Sequence, residues 1–100
     1  MRRKFPISVI LTVTSGVILP GVELVPYMIS FMLGYEVSSD QREQAVFICR
    51  EHLLNQLPQL RGVIPLRNQS PDYYLTWIAE QEKRYGGMLE VERISQNLLQ

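Results

Sequence analysis

Cys49 and His52 are the residues whose types and spacing come nearest to a reactive pair. They are the single cysteine and the single histidine of the chain, three positions apart. In a helix this spacing brings both side chains toward one side, where an imidazole can take the proton of a thiol or share a metal with it. Two ligands one turn apart leave a zinc ion short of partners, and free cysteine is commonly buried as a small hydrophobe. We therefore predict a packing role, no catalytic residue and no metal ligand, with a small thiol or hydrolytic enzyme as the alternative.

Two further motifs that could carry chemistry have simpler interpretations. Glu90 and Glu92 alternate with apolar residues, which is typical of the wet face of a strand rather than of a glycosidase pair across a pocket. Gly86 and Gly87 follow a predicted helix, whereas a phosphate-binding glycine loop precedes one. The sequence therefore predicts no cofactor.

An aromatic stripe is the first candidate for binding another protein. Tyr73 and Trp77 lie one helical turn apart, offset from the stripe formed by Tyr74, Ile78 and Tyr85. If one stripe faces the core, the other faces water or a partner, and exposed aromatic residues dominate interface energetics. A core position for the single tryptophan is the open alternative.

The apolar segment 24–33 is the second candidate. Its apolar positions run nearly all round a helix, and Met28 and Met32 belong to this surface. Such a helix is either central in the core or covered by a second copy of the protein. The sequence leaves this choice open, and a homodimer is one outcome.

Composition narrows the class of protein. A chain of 100 residues with 46% hydrophobic and 20% charged residues is expected to fold as one domain, with flexible ends at residues 1–5 and 95–100. A formal net charge of zero disfavours nucleic acid as a partner. One cysteine allows no internal disulfide, which favours the cytoplasm.

The amino-terminal region imitates a signal peptide. Three basic residues, an apolar stretch over 5–13 and the small residues of 14–16 follow one another in the order that such peptides have. Pro20 and Gly21 interrupt the apolar region, and neither half reaches the roughly 18 residues that a membrane span needs. We therefore expect no membrane association, with a protein anchored through residues 5–33 as a further alternative.

The predicted fold is mainly α in the α+β class, with about four helices and a small two-stranded β element. The third helix should be the spine, capped reciprocally by Asp40 and Glu43. Residues 88–93 alternate like a half-buried strand, and we expect them to pair with 17–19. Residues 7–15 favour a helix by their end signals, although their β-branched content keeps a strand open. The predicted helices are 7–15, 24–33, 39–57 and 71–85.

Four segments together resemble an uncharacterised family of small proteins encoded by bacteriophages and prophages. The chain differs from this family in two places: residues 35–38 are less polar than in similar proteins, and the loop 61–69 lies outside the pattern. The resemblance implies a cytoplasmic phage protein and names no activity or catalytic residue. The matching segments are VILTVTSG (9–16) with VIL (17–19), YMISFMLG (27–34), LLNQLPQL (53–60), and WIAEQ (77–81) continuing to Tyr85-Gly86 and Leu89-Glu90-Val91.

These observations predict a function without catalysis. We expect an accessory protein that acts by binding a protein partner during phage infection, either a host protein that it inhibits or its own copy. The candidate binding residues are Tyr73, Trp77, Met28 and Met32.

Overall fold

A computed structural model describes residues 1–94 of the chain, so the predicted flexible end at 95–100 lies outside the described residues. Four helices and two antiparallel strands confirm the predicted fold class. Single 3-10 turns at Val22–Leu24 and Pro58–Leu60 lie in the connections. The elements in chain order are β1 (Arg2–Pro6), α1 (Ile7–Ser15), α2 (Val25–Leu33), α3 (Arg42–Gln56), α4 (Pro71–Tyr85) and β2 (Met88–Glu92).

The sheet joins the two ends of the described chain. β1 pairs with β2 in antiparallel register, from Arg2 opposite Glu92 to Pro6 opposite Met88. The expectation of a flexible segment at residues 1–5 was therefore wrong. Phe5 is buried in this strand, and apolar burial offsets the conformational entropy lost when the terminus is ordered.

The predicted partner strand, residues 17–19, is a loop, so this part of the strand prediction was wrong. Its amides are bonded to side chains of α1: Val17 N–H donates to the Ser15 hydroxyl and Leu19 N–H to the Thr12 hydroxyl. Val17 and Leu19 are buried while Ile18 is exposed. Residues 17–19 therefore form a loop that folds back onto its own helix.

The ends of the helices follow local chemistry closely. Gly16 and Gly34 adopt the left-handed conformation and close α1 and α2, as predicted, because glycine lacks the Cβ that disfavours positive φ. At the start of α4, the Ser70 hydroxyl accepts a hydrogen bond from the backbone N–H of Tyr73, and Pro71 occupies the first turn. The helical alternative for residues 7–15 is confirmed.

The start of α3 differs from its prediction. The helix begins at Arg42, and Gln41 precedes it without a side-chain capping bond. The Asp40 carboxylate instead accepts a hydrogen bond from the Ser38 hydroxyl at 2.6 Å, which lowers the pKa of Asp40. The expected reciprocal cap between Asp40 and Glu43 was wrong because the aspartate is bonded in the preceding turn.

α1, rather than α3, is the centre of the molecule. It packs against α2, α3, α4 and β1. α3 buries only three residues within its span, Ala45, Cys49 and Leu53. The short apolar helix that follows the basic start is thus the middle of the core, and the prediction of α3 as the spine was wrong. The buried residues of α1 are Ile7, Val9, Ile10, Leu11 and Val13.

Within residues 1–94, none of the helices combines the length and the apolar character that crossing a bilayer requires.

Candidate protein-binding surface

The methionine face predicted on α2 lies in the core. Met28 and Met32 are both 0% exposed and pack in one hydrophobic cluster with residues of α1 and α3. The apolar side of α2 is therefore covered by its own chain, and a second copy is not needed to cover it. As candidate binding residues, the two methionines are corrected to core residues.

The aromatic residues of α4 are half-buried. Trp77 packs against the hydrophobic core from its edge, as do Tyr74 and Tyr85. Ile78 and Gln81 are the buried residues of this helix, so the stripe that contains Ile78 faces the core. Trp77 therefore has a packing function in the fold, and only part of its ring reaches solvent.

The hydroxyls of Tyr73 and Tyr74 hold the loop that precedes α4. The Tyr73 hydroxyl accepts from the Leu66 backbone N–H at 3.2 Å. The Tyr74 hydroxyl donates to the Leu66 carbonyl at 2.8 Å and accepts from the Gln69 N–H at 3.2 Å. The two rings meet edge to face at 5.3 Å between centroids. This geometry makes Tyr73 a residue that orders a loop, with its polar atom already occupied.

In the pair of Cys49 and His52, the thiol is buried. Cys49 is fully buried, and burial raises the pKa of its thiol from the usual 9.0 to about 12. A thiol with this pKa is protonated at neutral pH, whereas the nucleophile and the metal ligand are the thiolate. Across residues 1–94, no group of three or more potential metal ligands comes together.

The outer side of α2 presents a surface that sequence reasoning missed. Tyr27, near the start of α2, is 68% exposed, and Tyr35, just after its end, is 54% exposed. Two adjoining grooves both include Tyr27 and Ser30 in their walls. We call the two grooves with Tyr27, Ser30 and Tyr35 the α2 surface.

The two grooves differ in character. The first has a volume of about 430 Å³ and is mainly apolar. The second, of about 400 Å³, is more open and contains two arginines. The first is lined by Val25, Pro26, Tyr27, Ile29, Ser30, Glu36, Val37 and Arg42. The second is lined by Met1, Arg3, Tyr27, Ser30, Phe31, Gly34, Tyr35 and Arg93.

A signal for this surface exists in the sequence. Tyr27 and Ser30 are the two residues with polar side-chain atoms in an otherwise apolar helix, and they lie three positions apart, on one face. Gly34 continues that face one turn further. The interruption of an apolar helix by hydroxyl groups at this spacing indicates its solvent side, and it predicts the buried side opposite.

Comparisons with known proteins found no similar protein. No family model, no curated protein and no solved structure matches the chain.

Proposed function

We propose that this protein acts without catalysis by binding another protein through the α2 surface. The observation that carries the proposal is the pair of exposed tyrosines, Tyr27 and Tyr35, at two adjoining grooves. Tyrosine offers a large rigid ring with a polar tip, so it contributes contact area at little cost in side-chain entropy.

The surface is also well positioned for binding. Tyr27 belongs to a helix whose other side is locked in the core through Met28 and Met32. Gly34 then fixes the turn that carries Tyr35. A binding group on a rigid element loses less freedom on association than one on a mobile loop, which favours affinity.

The partner in this proposal is a protein different from the chain itself. The apolar side of α2, which was the reason to expect self-association, is buried within the monomer. The resemblance to phage proteins makes a bacterial cytoplasmic protein the partner class we favour, with inhibition or redirection of that protein as the effect.

Affinity capture from a bacterial lysate tests the proposal when it is run with matched variants. Wild-type protein, Tyr27→Ala, Tyr35→Ala and Phe47→Ala are each immobilised and the retained proteins compared. Phe47 is the control, because it is an aromatic residue 60% exposed in a separate groove on α3. We expect a protein retained by the wild type and by Phe47→Ala, and lost at least tenfold with Tyr27→Ala, as for a central interface residue.

Equal retention by all four proteins would remove the α2 surface from the interface. Loss with Phe47→Ala alone would move the binding surface to α3. Unchanged melting temperatures of the tyrosine variants are required, and their exposure predicts this result.

A further inference from the structure

Two arginines converge on one aromatic ring inside the second groove of the α2 surface. The guanidinium carbons of Arg3, on β1, and Arg93, just after β2, each lie 5.2 Å from the centroid of the Phe31 ring. The two cations are therefore no more than twice that distance apart. On its core side, the Phe31 ring packs against Phe5, with 5.7 Å between the ring centroids. The β1–β2 pair and α2 together build this arrangement.

Arg93 is held in place by two hydrogen bonds to backbone carbonyls. Its Nε donates to the Phe31 carbonyl at 3.0 Å, and its backbone N–H donates to the Met1 carbonyl at 3.0 Å. Among residues 1–94, its two terminal nitrogens make no hydrogen bond or ion pair. A guanidinium anchored through Nε presents those nitrogens in a fixed orientation, which is the geometry that binds carboxylates.

Arg2, the neighbour of Arg3 in the chain, has carboxylate partners. Arg2 lies beside Glu90 and Glu92, each within 3.6 Å, on the other face of the strand. Arg3 has no such ion pair among the described residues, and no carboxylate lines the groove that contains Arg3 and Arg93. Two cations beside one ring repel each other, and an anion bound between them offsets that repulsion by attracting both.

The adjoining first groove defines the rest of the ligand. Val25, Ile29 and Val37 give it an apolar lining, and it meets the arginine groove at Tyr27 and Ser30. A ligand that fills both grooves carries an acidic group next to apolar side chains. We propose that the α2 surface recognises an acidic segment of its protein partner, with a carboxylate at Arg3 and Arg93 and a neighbouring apolar side chain in the first groove. This inference rests on the proposed function and names the chemistry of its partner.

The apolar groove and the overall charge favour a protein segment over a nucleic acid. The formal net charge is zero, so no general positive field draws phosphate backbones. The two arginines supply a local contact, and the first groove supplies a place for an aliphatic side chain, which nucleic acids lack.

A peptide selection with charge-removing variants tests the inference. A library of random 12-residue peptides displayed on yeast is selected against the wild-type protein, and selected peptides are then measured against Arg3→Gln, Arg93→Gln, Tyr27→Ala and the control Arg2→Gln. We expect the peptides to carry Asp or Glu close to Leu, Ile or Phe. We expect affinity to fall about tenfold or more with Arg93→Gln and with Arg3→Gln, the range for a lost charged hydrogen bond, and to stay within about twofold with Arg2→Gln.

A double-mutant cycle closes the test. Replacing the acid of a selected peptide by its amide should weaken binding to the wild type as much as Arg93→Gln does, and should weaken binding to that variant little further. Because Arg93 also bonds to the Phe31 carbonyl, melting temperatures are measured for each variant, and Arg3→Gln, which breaks no such bond, repeats the cycle independently.

The outcomes separate the two proposals. Selected peptides that depend on Tyr27 but lack acids, or that ignore both arginines, overturn the acidic recognition and leave the proposed function standing. A selection with no peptide dependent on Tyr27 contradicts both. Tighter binding of a 12-nucleotide poly-dT probe than of any selected peptide, lost with Arg3→Gln, overturns the protein segment in favour of nucleic acid.

Discussion

Cys49 is a neutral core residue at physiological pH. It is fully buried on the inner side of α3, and that burial raises the pKa of its thiol to about 12. Ionising the thiol would place an unpaired charge in an apolar environment, which is costly. Burial therefore both keeps the thiol out of reach of substrates and suppresses its nucleophilic form.

The raised pKa of Cys49 predicts a loss of stability in alkali. The thiol ionises near its usual pKa of 9.0 in the unfolded chain and near 12 in the folded one. Between these values the folded state binds more protons, so the free energy of unfolding contributed by Cys49 is complete below pH 9 and falls as pH rises toward 12. The loss is at most about 1.4 kcal/mol per pH unit.

Urea unfolding of the wild type and Cys49→Ala at pH 8 and pH 10.5 measures this effect. We expect the wild type to lose up to about 2 kcal/mol more than the variant between the two pH values, because only the wild type has this thiol to ionise. Other groups titrate in both proteins and cancel in the difference. Parallel losses would show that the thiol ionises in the folded protein as readily as in the unfolded chain.

α3 and β2 are joined by one side-chain amide. The Gln56 Nε2 donates to the Glu92 carbonyl at 3.0 Å, and the Glu92 N–H donates to the Gln56 Oε1 at 2.8 Å. The last residue of α3 thereby occupies the backbone groups of the last residue of β2. Unpaired backbone groups on a short sheet require partners, and Gln56 provides them from a helix 36 residues away in the chain.

Replacing Gln56 by alanine should therefore lower stability. We expect a loss of about 1–2 kcal/mol in the free energy of unfolding, the usual range for removing two partly exposed hydrogen bonds. Gln44→Ala is the matched control, since Gln44 is an exposed glutamine of the same helix that makes no side-chain hydrogen bond within residues 1–94. Urea unfolding of both variants measures the difference, and equal stabilities would mean that water replaces the Gln56 bonds without cost.

The whole molecule buries its apolar helices within one chain. α1 and α2 supply half of the buried apolar residues, and the described structure has a Cα radius of gyration of 13.2 Å. This value matches the roughly 13 Å typical of a compact 100-residue domain. Most apolar residues before Gly34 lie in the core, whereas Ile18, Val22 and Leu24 are exposed before α2 begins. On α2 itself, the side that stays outside is the one with Tyr27.

Light scattering across a wide dilution range should accordingly give the monomer mass of 11.6 kDa at every concentration. The physical reason is that no large apolar face of α2 is left to be covered by a second copy. A dimer that persists on dilution would contradict this expectation, and it would assign the α2 surface, with its exposed Tyr27 and Tyr35, to self-association.

On α2, the sequence predicted the helix correctly, whereas the candidate binding residues named on it lie on its buried side. The apolar content of α2 predicts the helix, but Met28 and Met32, two of the candidate binding residues, are both buried. A nearly continuous apolar pattern has little amphipathic signal, so only Tyr27 and Ser30 indicate which side of α2 meets solvent. Arg3 and Arg93 could not be grouped either, because they lie 90 positions apart and meet only through the strand pairing.

What the sequence by itself determined is local. The glycines that end α1 and α2, the Ser70 and Pro71 start of α4, and the alternation of β2 follow from each residue's backbone preferences and immediate neighbours. The tertiary structure decided which distant strand pairs with β2 and which helix is central. These features depend on contacts between segments far apart in the chain, where burial of apolar area outweighs the small differences in local preference.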